Sequence, residues 1–440
     1  MSAETTAGDV IVGEGAARLT PHPLRAAVLG EVHARPFTAI ETPRRVLHFG
    51  FDTGSTRGEA DRAALMAFCV RRGLAPPKSH DKHHRVTFGG TVLRWEQHSE
   101  FTTYTWELPA PSDAGAFHPS AASLTSPMAS LPQPGSLIVA VDLHLVADGA
   151  GVTPEPLFDR ASLAVAENSD ALAQYATDFR LDPAGFVRIL VLDRGLGTER
   201  AGALVQRVLE IETYRTLALL GLPEAQRLAP SIARIEKRLA EVTEAIQESE
   251  GLAANHLLLD ELTALAAELE AGAAASQYRF GASRAYDEIV HRRLATIGER
   301  KVGGLPTWSS FLARRMAPAL RTCVTIEERQ ANLSRKLARA ANLLRTRVDV
   351  EQEQQSRALL QSMNERTRLQ LRLQTTVEGL SVAAISYYVV GLFGYLVKGA
   401  HDAGVPVEPS YATAAFVPVA LLGIWFLVRR IRRRHVVGEE

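Results

Sequence analysis

The sequence predicts an N-terminal cytoplasmic α/β or α+β domain, then a long α-helical, coiled-coil-like region, then a two-helix transmembrane hairpin. Three observations predict this. Strand-like and helix-like runs mix from about Thr20 to Leu222, helical periodicity dominates from Ala225 onward, and two apolar stretches close the chain. The first stretch, Leu373 to Val397, is interrupted only by Glu378, and the second, Pro409 to Val428, carries no charge. Each has roughly the 20 residues that an α-helix needs to cross a bilayer. The expected organisation is a flexible N-terminus (1–19), an α/β domain (20–222), a helical stalk (223–372), two membrane helices within 373–428 (about 376–397 and 410–428) and a basic cytoplasmic tail (429–440).

In the first part, Arg44–Phe51 reads as a strand bounded by Pro43 and Gly54. Thr56 and Glu59 form a capping-box pattern for a helix whose apolar face is Leu65, Phe68 and Cys69, with Gly73 ending it. Arg85–Phe88, Thr91–Trp95 and Phe101–Leu108 are β-rich, and Gly89-Gly90 is a hairpin signal. The stretch 109–136 contains six prolines and reads as a long exposed loop with little order. Leu137–Leu145 alternates as a strand should, Ser162–Ala166 and Phe186–Leu192 add two more, and Thr198 caps a helix to about Gly221.

Beyond Ala225, Ile232, Ile235, Leu239, Val242 and Ile246 step by three and four as a heptad seam. Gly251 interrupts it, and Leu258, Leu262, Leu265 and Leu269 resume it, predicting an antiparallel helical hairpin. A third helix is expected over about Ala274–Arg300, ended by Gly303, Gly304 and Pro306. No proline occurs between Pro318 and Pro406, so one helix can run from Ala319 to Val397, about 120 Å at 1.5 Å per residue. The polar stretch Asp349–Arg357 is a place for a kink. The seam Leu333, Leu337, Ala340 and Leu344 on this helix predicts apolar surface left over for self-association.

Charge gives the orientation. Arg366, Arg368 and Arg372 precede the first span, and Arg429, Arg430, Arg432, Arg433 and Arg434 follow the second. The loop between holds Lys398 against Asp402 and Glu408. Basic residues concentrate on the cytoplasmic side, so both termini are expected there, with the terminal arginines at the lipid surface. Lys+Arg and Asp+Glu both total 49, which gives no global charge for nucleic acid. Cys69 and Cys323 lie far apart and read as reduced core thiols. The start of the chain has no basic, apolar signal segment.

Chemistry is sparse. No phosphate-cradling glycine loop, nucleophile elbow, CxxC or HExxH occurs, and no cofactor is implied. His80, His83 and His84, with Asp81, are candidate metal ligands, although a solvated Pro/Lys-rich turn before a strand is the favoured reading. Glu31, His33 and Arg35 alternate and could form a polar triad; a structural salt bridge is favoured. Glu378 is a carboxylate inside an apolar span, and Ser381, Gly391 and Gly394 share that span. These four suit either a pore or close packing of spans, and packing is favoured.

The segments His22-Pro23-Leu24-Arg25, Glu31 to Phe37, Leu47 to Phe51, Leu93 to Glu96 and Thr376 to Val382 resemble a bacterial family of uncharacterised membrane-anchored proteins. That family is known only as a domain of unknown function. The resemblance covers nearly the whole chain and implies a bacterial inner-membrane location without an activity. The architecture also looks like that of the CorA-type divalent-cation channels, but their Gly-Met-Asn signature is absent and Gly394-Tyr395-Leu396 stands in the comparable place. The expected function is a membrane-anchored, homo-oligomeric interaction or scaffold protein facing the cytoplasm; the alternative is a CorA-like channel or transporter. An enzyme reading rests on the histidines alone.

Overall fold

The computed structural model describes residues 10–11, 18–19, 22, 24–25, 28–29, 37–54, 56–79, 81–110, 115–121 and 127–436. The Glu31, His33 and Arg35 triad lies outside the described residues. By its internal contacts the chain forms two units: residues 1–242 with 262–339, and residues 243–261 with 340–440.

The first unit is built on a nine-stranded mixed sheet. Its strands are β3 (Arg44–Asp52), β4 (His83–Phe88), β5 (Thr91–Gln97), β6 (Phe101–Pro109), β7 (Ser136–Ala147), β8 (Ala164–Glu167), β9 (Ala173–Thr177), β10 (Val187–Asp193) and β11 (Arg300–Lys301). The spatial order is β11-β8-β9-β10-β7-β3-β6-β5-β4, and β7–β10 is the parallel pair. A separate two-residue ladder joins β1 (Val10–Ile11) to β2 (Arg18–Leu19), inside the stretch expected to be a flexible tail. Gly89 and Gly90 have φ of 55° and 75°, the left-handed pair that a two-residue hairpin between β4 and β5 requires.

Helix α1 (Gly58–Arg71) covers one sheet face, with Leu65, Phe68 and Cys69 packed on Leu47, Phe51, Trp95 and Tyr104. The capping box is not formed: the N-cap is Arg57, without a side-chain bond, and Glu59 and Asp61 lie in the first turn. Gly73, at φ 68°, ends the helix as expected. The stretch expected to be an exposed loop is partly packed, since Ala116, Phe117, Ala121 and Leu131 are buried against this same face. Proline content marked irregular backbone correctly but not its burial.

The opposite face packs on α2 (Thr198–Leu219), on α4 (Leu252–Ile297) and on α5 (Trp308–Arg315). Gly197, not Thr198, is the N-cap of α2. Glu299 caps α5: its carboxylate accepts from Trp308 N at 3.1 Å and Ser309 N at 2.8 Å, and from the Tyr175 hydroxyl at 3.0 Å. The seam of α3 (Gly221–Glu248) is buried from Ile232 to Val242, as are Leu262, Leu265 and Leu269 of α4. The two helices expected over Leu258–Leu269 and Ala274–Arg300 are one, α4, of 46 residues. The intervening Ala-rich stretch keeps helix propensity high, and the break comes at Gly298, φ 66°. Helix α6 (Ala317–Asp402) runs 86 residues without a break at Asp349–Arg357.

The seam on α6 corrects one expectation. Leu333 and Leu337 are 2% and 1% exposed and Leu344 is fully buried, so these side chains serve packing within the chain. Arg329 forks onto Glu236 of α3, and Ser334 donates to Glu270 of α4 at 2.6 Å, tying the helices of the first unit together. In the second unit, Arg347 donates to Ile246 O and Ser249 O at 2.8 and 2.7 Å, satisfying the carbonyls at the end of α3. Both cysteines are buried and unpaired. The unit ends with α7 (Pro409–Val436); α6 and α7 are each long and apolar enough, by length and composition, to cross a membrane.

Candidate functional site

The apolar ends of α6 and α7 form a helical hairpin. Phe393 stacks on Phe416 with ring centroids 3.9 Å apart, and a Cβ at Gly394 would lie 3.5 Å from Thr413 Oγ1. Along the apolar end of α6 the less exposed positions are Glu378, Val382, Ser386, Val390, Phe393, Gly394, Val397 and Ala400, a stripe at helical spacing. Glu378 is thus half-buried on the stripe and accepts from Gln374 Nε2 at 3.3 Å. Ser381 and Gly391 are exposed, and a Cβ at Gly391 would meet nothing within 4 Å. Of the four predicted span residues, Gly394 packs inside the hairpin while Ser381 and Gly391 face away. Arg429 lies over the Trp425 ring at 4.9 Å, and Arg430 is exposed. The side chains of Arg432, Arg433 and Arg434 lie outside the described residues.

The histidine group does not converge. His83 and His84 are in β4 rather than in the turn before it, so successive side chains point to opposite faces. His84 Nε2 donates to Ala75 O at 2.8 Å. His83 pairs in register with Glu96; burial holds its pKa below the usual value, with Arg94 and His84 adding to the effect against Glu96 and Asp81. His80 lies outside the described residues. Among the described residues no group of three or more His, Cys, Asp or Glu is placed to hold a metal ion.

Sequence reasoning missed two buried polar clusters on opposite sheet faces. On the α1 face, Arg45 forks onto Asp142, with Nε–Oδ1 at 2.9 Å and Nη2–Oδ2 at 2.6 Å, and its Nη1 donates to Pro119 O at 2.7 Å. Burial pushes the Asp142 carboxyl up, but His144 and Arg45 together outweigh it and hold it below the usual range. His144 Nε2 lies 3.5 Å from Oδ1 with poor hydrogen-bond geometry, so the Arg45 fork is the stronger contact.

On the α2 face, His48 is buried between Thr105 and Thr213, at 2.8 and 3.0 Å. Thr213 Oγ1 already donates to Leu209 O, so the network assigns the proton to His48 Nε2 and leaves Nδ1 to accept from Thr105. Arg94, also buried, donates to Gln206 Oε1 at 2.9 Å. A polar residue inside the apolar run Val46–Phe51 was the available signal for His48.

A third feature is a cleft of about 480 Å³ in the first unit. Its apolar floor is Phe179 on Phe311, stacked with centroids 5.0 Å apart and planes 25° apart, flanked by Leu312 and Met316. Phe179 has φ 55°, a strained conformation for a bulky residue. Arg215 and Arg315 lie over these two rings at 5.2 and 4.8 Å.

The chain matches the family DUF3422, described as a protein of unknown function, over residues 20–435. It belongs to that family. No curated protein and no solved structure matches it. The likeness to CorA-type channels therefore gains no support, and membership of DUF3422 carries no reaction with it.

In this DUF3422 protein His48 makes a testable pH sensor of stability. Burial, aided by Arg94, lowers its pKa from 6.5 to about 3. The unfolded chain therefore takes up this proton as pH falls through 6.5, whereas the folded chain does so only near 3. Stability from this group is complete above 6.5 and is lost progressively below it. From pH 7 to pH 5 the expected loss is about 2 kcal/mol. Urea unfolding at the two pH values measures it, and His48→Gln should reduce the dependence by that amount. An unchanged pH dependence in the variant would refute the assignment.

Proposed function

We propose that this DUF3422 protein is a bacterial inner-membrane scaffold. The α6–α7 hairpin spans the bilayer, both termini face the cytoplasm, copies associate through α6, and the sheet unit meets protein partners in the cytosol. The observation that carries the reading is the apolar sheath of the hairpin. Only 6% of the apolar window of each helix is buried, while Leu392, Leu396, Leu422 and Phe426 are each more than 60% exposed. Water does not tolerate a continuous apolar surface of this kind, and lipid covers it without cost to the helical backbone. The arginine asymmetry supports the orientation.

Self-association is supported by a different stretch from the one the sequence indicated. Residues 352–377 of α6 are exposed on every side, and Leu359, Leu360, Met363, Leu369 and Leu371 are all more than half exposed. Apolar side chains along an uncovered helix are costly in water, and a second copy covers them.

The expected results are retention in membranes after alkaline carbonate, protection of a C-terminal tag from periplasmic labelling, and a multimeric mass in mild detergent. Release by carbonate removes the anchor, and a monodisperse monomer removes the association. Cation flux in reconstituted vesicles that is reduced by Glu378→Gln would replace the scaffold with the channel alternative.

A further inference from the structure

We propose that anionic phospholipid headgroups bind the arginine zone where α6 enters and α7 leaves the apolar layer, and that this binding allows copies to associate through α6. Such lipid control rests on the membrane and association readings above.

The zone follows from the register of the hairpin. Phe393 of α6 stacks on Phe416 of α7. Thirteen residues back along α6 and thirteen forward along α7, about 20 Å in each case, Leu380 and Arg429 stand level. Arg366, Arg368 and Arg372 precede that level on α6, and Arg429, Arg430, Arg432, Arg433 and Arg434 follow it on α7. Against these eight arginines the stretches 365–378 and 429–434 hold two acids, Glu365 and Glu378, which leaves a net charge of +6 in each copy. Arg357, earlier on α6, pairs with Glu353 at 2.6 Å. Arg366, Arg368, Arg372 and Arg430 are exposed and have no carboxylate partner among the described residues. Arg429 lies over the ring of Trp425, a residue type that settles at the headgroup level of a membrane.

The same arginines oppose the association that the leucines favour. Arg368 and Arg372 are four residues apart and share a face of α6, with Leu369 and Leu371 on either side of it. A second copy that covers these leucines therefore brings its own arginines against this face. Screening over about 8 Å at physiological salt leaves part of that repulsion in place. Headgroup phosphates remove it, because a guanidinium fork donates to two phosphate oxygens at once and an anionic leaflet concentrates such phosphates at its surface. The neighbouring Leu373, Val377 and Leu380 are each more than half exposed, so acyl chains find apolar surface to cover directly beside the arginines. Charge adjoining apolar surface in this way favours a lipid over a dissolved phosphate.

The test uses the full chain, carrying donor or acceptor fluorophores on an N-terminal tag, in vesicles of phosphatidylcholine with and without about 30 mol% phosphatidylglycerol. At equal protein density, energy transfer should report association at least about tenfold tighter in the anionic vesicles. In phosphatidylcholine alone, about 1 M sodium chloride should recover part of that gain, because the Debye length falls to about 3 Å. Inorganic phosphate at matched ionic strength should do no more than chloride. The triple variant Arg366→Gln, Arg368→Gln, Arg372→Gln should associate more tightly than wild type in phosphatidylcholine and respond less to phosphatidylglycerol. These side chains are exposed and unpaired, so their loss leaves the fold intact. Equal wild-type association in the two lipids overturns the proposal. So does an undiminished response in the variant, or a gain from dissolved phosphate that matches the gain from phosphatidylglycerol. Failure to float with vesicles removes the membrane reading, and absence of transfer in every condition removes the association reading; lipid control falls with either.

Discussion

Replacement of Asp142 by alanine is expected to lower the folding free energy by about 3–5 kcal/mol, because it leaves the Arg45 guanidinium charged and unpaired in the protein interior. Arg45 and Asp142 are each 1% exposed, so water cannot take the place of the lost carboxylate. The loss should appear as a lower urea midpoint with an unchanged slope, since the area exposed on unfolding is nearly the same. The double variant Arg45→Met with Asp142→Leu separates two contributions. If desolvation of the pair roughly balances its attraction, the double variant should regain most of the stability, as buried ion pairs replaced by apolar groups often do. A single-variant loss below about 1 kcal/mol would show that the pair is hydrated in solution.

A charge at Leu337 is expected to be more damaging than one at Leu360, although both leucines lie on the same helix. Leu337 is 1% exposed, and Leu360 is 65% exposed. Leu337→Asp removes a packed side chain and buries a carboxylate without a partner, at a cost of at least about 4 kcal/mol. It should unfold the helical part of the first unit rather than merely dissociate copies. Leu360→Asp should leave the thermal midpoint of the chain close to wild type and, on the association proposed above, lower the mass in mild detergent. Circular dichroism and light scattering on the two variants distinguish the effects. A multimer insensitive to Leu360→Asp would move the contact elsewhere, and a fully folded Leu337→Asp would contradict the buried seam.

Much of the secondary structure was legible because it is local. The strand Arg44–Asp52, the glycine turn between β4 and β5, the helix stop at Gly73 and the proline-free run of α6 each follow from neighbouring residues. Where local signals were weak the reading failed. The short β9, Ala173–Thr177, has little of the bulky β-branched character that marks a strand, and its place comes from pairing with β8 and β10. The apparent gap between two helices near Gly272 was filled by helix because the alanines around it outweigh one glycine.

The periodicities are written in the order of residues: which stretches alternate, which step by three and four, and which two are apolar enough for lipid. These depend on spacing along the chain, which a reader of the sequence sees directly. The partners came from packing. It joined Arg45 to Asp142 across 97 positions and His48 to Thr213 across 165. It gathered Phe179, Arg215 and Phe311 around one cleft, and it turned Leu333 and Leu337 inward while leaving Leu359 and Leu360 uncovered. A heptad leucine has the same pattern whether its hole is supplied by the same chain or by a copy. A buried arginine likewise looks like a surface arginine until the strand beside it brings a carboxylate to its side, so burial and pairing are properties of the packed chain rather than of the local sequence.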